Sequence, residues 1–355
     1  MAQQHVLVVG AGIIGASIAW HLARAGARVT IVDTAEPGGI ATAHSWAWIN
    51  ASWGNPLPYF RLRAQAMADW HRVAADLPAL GVRFPGGLLW DLPEEELETY
   101  AASHADWGYA IRLVDRAEAQ RIEPSLAAAP ELAVFASGEG VVEPVAAARA
   151  FLAAAESLGA NFRRAEVTGV LEQAGRVTGI ATKDGMIGAD HVVLAAGTAT
   201  SLLAATIGIE VPLESPPGLL VRTMPVAPCL NGLVMSPALH VRQLADGSLL
   251  AGADFGGSDP GADAEATARG VFGDLQSLLK VGAGLAYQGY GIGYRPLPKD
   301  GFPIAGPSRL PGLTLCVTHS GVTLAPALGV MLANEILEGT RDPLLGPYHP
   351  SRFGA

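Results

Sequence analysis

The sequence predicts an α/β protein in which a domain built on a parallel sheet is interleaved with a second domain built on an antiparallel or mixed sheet with helices. Three observations predict this fold class. Residues 6–33 follow a strand-helix-strand pattern, residues 192–197 repeat the passage from strand to glycine, and residues 219–255 alternate apolar and polar residues. The chain has 355 residues. A single hydrophobic core stops growing at roughly 250 to 300 residues, so the chain is long enough for two domains or one large one.

The opening unit follows a β-α-β pattern. Residues 6–9 form an apolar strand, a helix is predicted at about residues 13–25, and residues 29–32 form a second strand. A G-x-G-x-x-G motif follows the first strand at once, with Gly10, Gly12 and Gly15. In this context the motif predicts a Rossmann-type dinucleotide site, where the backbone approaches a diphosphate at the helix N-terminus formed by Ile13 and Ile14.

The end of the second strand adds a ribose-binding group. Asp33 lies 18 residues beyond Gly15 and is placed to accept hydrogen bonds from the adenosine ribose. Thr34 and Ala35 follow it and offer no arginine for a 2′-phosphate, which disfavours NADP. The motif serves NAD and FAD alike, so the choice depends on the rest of the chain.

Three later segments favour FAD. Residues 192–197, VVLAAG, are similar to a segment that flanks FAD in glutathione-reductase-like flavoproteins. Residues 38–50, GGIATAHSWAWIN, come where those proteins lay small residues along the flavin, and residues 318–329, THSGVTLAPALG, resemble the helix start that faces the flavin pyrimidine. A helix N-terminus there stabilises negative charge on the reduced ring.

We therefore predict a discontinuous FAD-binding domain at residues 1–57, 142–215 and 290–355, and a substrate-binding domain at residues 58–141 and 216–289. In the first segment of the substrate-binding domain, residues 58–141, the sequence predicts helices rich in Ala, Glu and Trp. The predicted FAD-binding residues are Gly10, Gly12, Ile13, Ile14, Gly15, Asp33, Thr34, His44, Ser45, Val167, Ala196, Gly197, Arg295, Ser320, Gly321, Val322 and Thr323.

With these segments together, the chain resembles the D-amino-acid oxidase, glycine oxidase and sarcosine oxidase family of FAD-dependent enzymes over essentially its whole length. Residues 294–306, YRPLPKDGFPIAG, match the R-P-x-x-x-D-G-x-P-x-x-G pattern of glycine oxidases and D-amino-acid dehydrogenases. The resemblance implies that Arg295 lies over the flavin and pairs with a substrate carboxylate, which a planar guanidinium holds by two parallel hydrogen bonds. The alternative is an arginine that braces the domain interface.

The resemblance also implies the chemistry. A small amino acid or secondary amine transfers a hydride from the carbon bearing nitrogen to flavin N5 and becomes an imine, and oxygen or another acceptor takes the electrons. FAD is expected to be non-covalent, because Gly293 stands where the sarcosine-oxidase branch has a flavin-linking cysteine. Two alternatives stay open: an NAD-dependent oxidoreductase, and an FAD-binding subunit that depends on a partner. A homo-oligomer or hetero-oligomer is also left open.

Other polar side chains are further catalytic candidates. His240 and Arg242 share one face of a predicted strand and either contact substrate or have a solvated or core role. Arg222 is a poorer candidate of the same kind. His44 and His319 lie in flavin-side segments and either polarise the ring or the amine, or make structural hydrogen bonds.

Aromatic residues near the predicted flavin segments either wall an active site or form a core cluster. They are Trp46, Trp48, Trp53 and Tyr59. The histidines are scattered without ligand spacing, which predicts no metal.

Charge and cysteine content restrict the partners and the compartment. The net charge of −10 disfavours nucleic acid and anionic membrane surfaces, and no run approaches the roughly 20 apolar residues of a membrane span. Cys229 and Cys316 are expected to be buried thiols, and residues 1–5 contain no Lys or Arg, which disfavours export. A cytoplasmic protein is expected.

Overall fold

A computed structural model of the protein describes residues 3–52, 54–254 and 256–355. Within them the α-helices are α1 (Ile13–Arg24), α2 (Ile40–Ala43), α3 (Leu57–Asp76), α4 (Glu94–Asp106), α5 (Arg116–Ile122), α6 (Pro144–Ser157), α7 (Thr200–Ala205), α8 (Ala264–Leu278) and α9 (Gly321–Glu338). Short 3-10 helices are Pro78–Leu80, Gly197–Ala199, Gly282–Gly284, Pro343–Tyr348 and Pro350–Phe353.

The described strands form five sheets. They are β1 (His5–Val9), β2 (Arg28–Asp33), β3 (Trp48–Ile49), β4 (Gly87–Leu89), β5 (Ile111–Asp115), β6 (Leu132–Ala136), β7 (Gly140–Val141), β8 (Asn161–Arg164), β9 (Val167–Gln173), β10 (Arg176–Thr182), β11 (Gly185–Gly188), β12 (His191–Leu194), β13 (Leu213–Glu214), β14 (Pro217–Thr223), β15 (Leu233–Met235), β16 (His240–Gln243), β17 (Leu249–Gly252), β18 (Tyr287–Tyr294), β19 (Leu297–Pro298), β20 (Ile304–Pro307) and β21 (Leu313–Val317).

The sheet that contains β1 has six strands in the order β20-β21-β12-β1-β2-β8. Five are parallel, and β20 lies antiparallel at one edge. β1, α1 and β2 form the predicted β-α-β unit, and β12 pairs with β1 so that Val9 lies opposite Leu194. The two strands that lead into glycine segments therefore end side by side. This Rossmann-type sheet confirms the predicted α/β fold class.

Both faces of this sheet are buried, as parallel sheets require. Val6 and Val8 point into a core formed with α1, α6, α9 and α3. Leu7 and Val9 point to the opposite face, where the antiparallel sheet of β9, β10 and β11 closes a second core. Successive side chains of β1 therefore pack against opposite layers and hold the strand between them. The carboxyl end of β1 leads into Gly10.

A second sheet has eight strands in the order β18-β14-β17-β16-β15-β4-β6-β5. Its neighbouring strands are antiparallel except for the parallel pair of β15 and β4. Strands β4, β5 and β6 come from residues 58–141, where the sequence predicted helices. That prediction was incomplete, because these strands are three to five residues long and stand between α3, α4 and α5 without a clear alternation.

The two sheets divide the chain largely where the interleaved domains were predicted. The six-stranded sheet takes strands from residues 5–33, 161–194 and 304–317, and the eight-stranded sheet takes strands from residues 87–136 and 217–294. Strand β18 continues past the predicted boundary at residue 290, and α3, assigned to the substrate domain, packs against α9. The boundaries themselves stay a prediction.

One described helix, α9, is long and apolar enough to cross a membrane by length and composition alone. In the structure 61% of its residues are buried inside the protein, where it packs against α1 and α3. Core helices pass the same test, so this helix is explained by its place in the fold.

Candidate active site

The glycine motif forms a tightly packed turn at the carboxyl end of β1. Gly10 has a φ of 106°, and a Cβ there would collide with the carbonyl oxygen of Ala195. A Cβ at Gly15 would collide with the carbonyl oxygen of Gly10, and one at Gly12 would lie 3.2 Å from Oγ1 of Thr42. The close contacts at Gly10 and Gly15 bring backbone to this turn, and Oγ1 of Thr42 accepts a hydrogen bond of 3.2 Å from the amide of Ile13 beside it. Such a turn at the N-terminus of α1 suits a diphosphate.

The remaining predicted nucleotide contacts surround this turn. Asp33 ends β2 and accepts a hydrogen bond of 2.7 Å from the amide of Ala11, which holds its carboxylate at the turn. Thr34 is exposed beside it. Val167 begins β9, and Ala196 and Gly197 follow β12 next to Gly10. These placements suit a dinucleotide across the ends of β1, β2 and β12.

A cavity of about 210 Å³ lies between the two sheets. Three of the segments singled out in the sequence meet there, namely residues 41–50, 293–296 and 319–323. Its described lining contains two arginines, Arg63 and Arg295, and two histidines, His44 and His319, but no Asp or Glu. Such a lining favours anionic groups.

Arg295 has spare hydrogen-bonding capacity in this cavity. Its Nη2 donates to the carbonyl oxygen of Pro217 at 3.3 Å, but its buried Nε has no partner, and it forms no ion pair with any described residue. Gly256 makes room for it, because a Cβ there would collide with the guanidinium. A buried unsatisfied donor costs about 1 to 3 kcal/mol, so this side chain is suited to a ligand.

The two histidines differ in their surroundings. His44 is exposed, its Nδ1 contacts the carbonyl oxygen of Ile40 at 2.9 Å, and its ring lies against Gly291 and Gly293 of β18. His319 stands at the start of α9, where burial and the charges of Arg295 and Arg63 lower its pKa to about 4. At neutral pH the His319 imidazole is therefore uncharged.

The N-terminus of α9 is held in place by a buried arginine. Arg63 on α3 donates to Oγ of Ser320 at 2.6 Å and to the carbonyl oxygen of Asn50 at 3.0 Å. The Ser320 side chain does not cap the helix, and the first N–H groups of a helix lack intrahelical partners, so those of Gly321, Val322 and Thr323 can serve a ligand.

A second buried donor faces the same cavity. Nδ2 of Asn50 has no partner, while its Oδ1 is bound by Arg63. Thr323 fixes the neighbouring strand, donating to the carbonyl oxygen of Trp48 at 2.9 Å. The glycine turn, the helix start and the positively charged lining of the cavity together fit an FAD.

The profile of a protein family described as FAD dependent oxidoreductase matches residues 5–335. The chain belongs to this family. It is an FAD-binding enzyme of the group that acts on amino acids and amines, which confirms the predicted cofactor and enzyme class.

Individual relatives are similar over nearly the whole of this chain. Glycine oxidase of Pseudomonas aeruginosa is 31% identical over 373 residues, which cover 98% of this chain and 99% of the relative. One of the subunits of opine oxidase from Agrobacterium tumefaciens is 27% identical, over 100% of this chain and 99% of the relative. The bifunctional protein ThiO/ThiG of a Nostoc species is 27% identical over 98% of this chain, which spans about half, 55%, of that relative.

The fold has solved counterparts. The crystal structure of glycine oxidase from Geobacillus kaustophilus superposes with a TM-score of 0.87 at 24% identity, covering 99% of both chains. At this identity the likeness concerns the fold.

In this FAD-dependent oxidoreductase the described aromatic residues of the predicted group share one place. Trp46, Trp48 and Tyr59 are buried and line the cavity. The fourth, Trp53, lies outside the described residues. Ser45 also lines the cavity, and its Oγ accepts a hydrogen bond of 3.0 Å from the amide of Ala47.

Two catalytic candidates lie away from the cavity. On β16, His240 is buried against Asp91 with 2.6 Å between Nε2 and Oδ2, and Arg242 is buried against Glu143 with 3.2 Å between Nη1 and Oε1. Arg222 forms an ion pair with Asp246. The period of two places His240 and Arg242 on one face of β16, but other elements cover that face, and neither residue lines the cavity between the two sheets.

The two cysteines are separate thiols. Cys316 is buried in β21, where burial raises its pKa to about 12, and Cys229 is half-buried. Neither forms a disulfide. In the part of the chain that the structure describes, no group of three or more His, Cys, Asp or Glu side chains could hold a metal ion.

Sequence reasoning missed a buried acid behind the cavity. Glu139 accepts hydrogen bonds from Oγ of Ser52 at 2.6 Å, Nε1 of Trp48 at 2.7 Å and the hydroxyl of Tyr109 at 2.9 Å. Burial raises its pKa to about 7, although these three donors favour the carboxylate. Nothing in the segment SGEGVVEP marks this residue, because its partners come from distant parts of the chain.

The pKa of Glu139 predicts a pH-dependent stability. Its rise from 4.5 to about 7 means that the folded protein keeps this proton where the unfolded chain has lost it. The stabilisation is complete below about pH 4.5 and is lost as the pH rises to about 7. We expect the free energy of unfolding of the wild type, relative to Glu139→Gln, to fall by about 3 kcal/mol over that window.

Urea unfolding at several pH values measures this difference. Glu156→Gln, at an exposed position of α6, is the matched control and should follow the wild type at every pH. Parallel curves for the wild type and Glu139→Gln would show that Glu139 titrates normally.

Proposed function

We propose that this protein oxidises a small amino acid or secondary amine that carries a carboxylate. The observation that carries the proposal is the cavity lining, which combines Arg63 and Arg295 with unpartnered donors and contains no described acidic residue. Bound FAD supplies a hydride acceptor at its ring N5 when a substrate carbon bearing nitrogen lies against it. We propose non-covalent binding, because Gly293 offers no attachment atom and Cys316 is buried in β21.

The chain's own residues bind and orient the substrate. Arg295 holds the carboxylate through two of its N–H groups, the geometry that a guanidinium offers to two oxygens. Trp46, Trp48 and Tyr59 wall the cavity and exclude water, which strengthens this ion pair. Holding the substrate in one orientation supplies much of the rate enhancement.

The histidine beside Arg295 is not a strong base. With its pKa lowered to about 4, His319 stays neutral at pH 7 and can hydrogen-bond the amine without taking its proton. The reacting amine therefore enters unprotonated or loses its proton to water. The pH profile of the reduction should accordingly follow the pKa of the substrate amine and show no inflection near 6.5 from His319.

Anaerobic reduction tests the function. The purified holoenzyme is mixed with a panel of small amino acids, their N-methyl derivatives and the decarboxylated analogues, and the flavin absorbance is followed. Bleaching by carboxylate-bearing amines supports the proposal, and oxygen consumption then identifies the acceptor. If decarboxylated analogues reduce the flavin equally well, the carboxylate assignment is wrong.

The second candidate function is that of a flavin subunit that needs a partner. It is favoured by the full-length similarity to one of the subunits of opine oxidase. A holoenzyme that no compound of the panel bleaches would support this candidate against the first. We also propose a cytoplasmic location, which the free thiols of Cys229 and Cys316 support.

A further inference from the structure

A second cavity, also of about 210 Å³, shares none of its lining residues with the first. It lies between the loop before β15, the turn that joins β16 to β17, and the chain around Arg83 and Val141. Its described lining includes Arg83 and Arg242 and no Asp or Glu. The proposed function uses neither arginine.

Arg242 is buried, with only 2% of its surface exposed, yet it is incompletely paired. Its Nη1 contacts Oε1 of Glu143 at 3.2 Å, an oxygen that also accepts a 3.4 Å hydrogen bond from the amide of Ala245. Its Nε has no partner. A buried guanidinium with a free N–H is costly unless a further acceptor binds it.

Arg83 supplies a second positive charge at the same cavity. It is exposed and forms no ion pair with any described residue. Its charge reaches Arg242, because it is among the causes that lower the pKa of that group, after burial itself. An anion between the two guanidinium groups would relieve this repulsion.

The acidic groups around the cavity are already engaged. Glu143 is bound to Arg242, Asp246 pairs with Arg222, and Glu123 accepts the amides of Asn231 at 3.0 Å and Gly232 at 2.6 Å. The lining amide of Gln243 is satisfied as well, since its Oε1 accepts the amide of Cys229 and its Nε2 donates to carbonyl oxygens. The two arginines are therefore the groups left to bind a ligand.

We propose that this second cavity binds a small oxyanion, a carboxylate or a phosphate, between Arg83 and Arg242. The guanidinium group of Arg242 lines the cavity from the buried side, and Arg83 lines it from the exposed side. This site is independent of the FAD cavity, so its ligand need not be a substrate.

Isothermal titration with malonate and with inorganic phosphate, at constant ionic strength, tests the proposal. The protein carries Arg295→Ala, so that carboxylate binding in the first cavity does not contribute. We expect a Kd of about 1 mM or lower for at least one probe, and the stronger of the two identifies the ligand chemistry. Arg242→Met and Arg83→Gln should each weaken binding about tenfold or more.

Arg309→Gln is the matched control, because Arg309 is exposed and donates to the carbonyl oxygen of Gly208 far from this lining. It should leave the affinity unchanged. If Arg242→Met fails to fold, the exposed Arg83→Gln still decides the question. Absence of binding by both probes, or binding that neither variant weakens, overturns the proposal.

Discussion

Replacing Arg295 with alanine should lower kcat/KM for carboxylate-bearing substrates about 1000-fold, since removing one partner of a buried ion pair costs roughly 3 to 5 kcal/mol. Arg295 lines the cavity and forms no ion pair with any described residue, so the substrate carboxylate is the group expected to pair with it. The FAD content should stay near that of the wild type, because the glycine turn and the α9 start do not depend on Arg295. Stopped-flow reduction and the ratio of flavin to protein absorbance measure the two effects.

Two further variants show whether the effect comes from the carboxylate. Arg295→Lys keeps the charge but loses the two-pronged geometry, so it should lie between the wild type and Arg295→Ala. For decarboxylated analogues, Arg295→Ala should lower kcat/KM only slightly, since these compounds have no carboxylate for Arg295 to bind. Arg309→Ala controls for the loss of an arginine elsewhere. If kcat/KM falls equally for carboxylates and for their decarboxylated analogues, Arg295 instead braces the domain interface through its hydrogen bond to Pro217.

The nucleotide half of the protein was predictable because its signals are local. The strand, the glycines and Asp33 occur within one stretch of 33 residues. Close backbone contacts require Gly10 and Gly15, whereas Gly12 lies against the side chain of Thr42. The same holds for the 318–329 segment, where a turn leads directly into α9. Short-range patterns of this kind can be read without knowing the tertiary structure.

The substrate half depends on contacts between distant segments. Glu139 accepts hydrogen bonds from Trp48, Ser52 and Tyr109, which lie 30 to 91 residues away in the sequence. No local sequence pattern predicts these contacts. Arg63 did leave a signal, because it stands on the apolar stripe of α3 with Tyr59, Met67 and Trp70. A charged residue on a buried helix face predicts a specific partner or function.

His240 and Arg242 show what strand periodicity alone does not predict. The alternation of β16 correctly placed them on one face, but periodicity does not say what covers that face. Asp91 and Glu143 come from other segments, and they turn both residues into buried partners. The unpartnered Nε of Arg242 then becomes visible only in three dimensions.

Replacing Gly15 with alanine should abolish stable FAD binding. A Cβ at this position would lie far closer to the carbonyl oxygen of Gly10 than the 3.4 Å at which ordinary van der Waals contact begins. Backbone cannot rotate away as a side chain can, so α1 must move from β1 or the turn must open. We expect FAD affinity to fall by about 100-fold or more and the protein to lose about 3 kcal/mol of stability.

Gly270→Ala is the matched control, since Gly270 lies inside α8 with nothing within 4 Å of the added Cβ. There the same substitution removes backbone freedom without a clash, so FAD affinity should be unchanged and stability equal or slightly higher. Flavin fluorescence during titration of the apoprotein measures the affinity. Wild-type binding by Gly15→Ala would mean that the close contact of α1 with β1 does not shape the dinucleotide site. A loss shared by Gly270→Ala would mean that the effect belongs to helix stability in general.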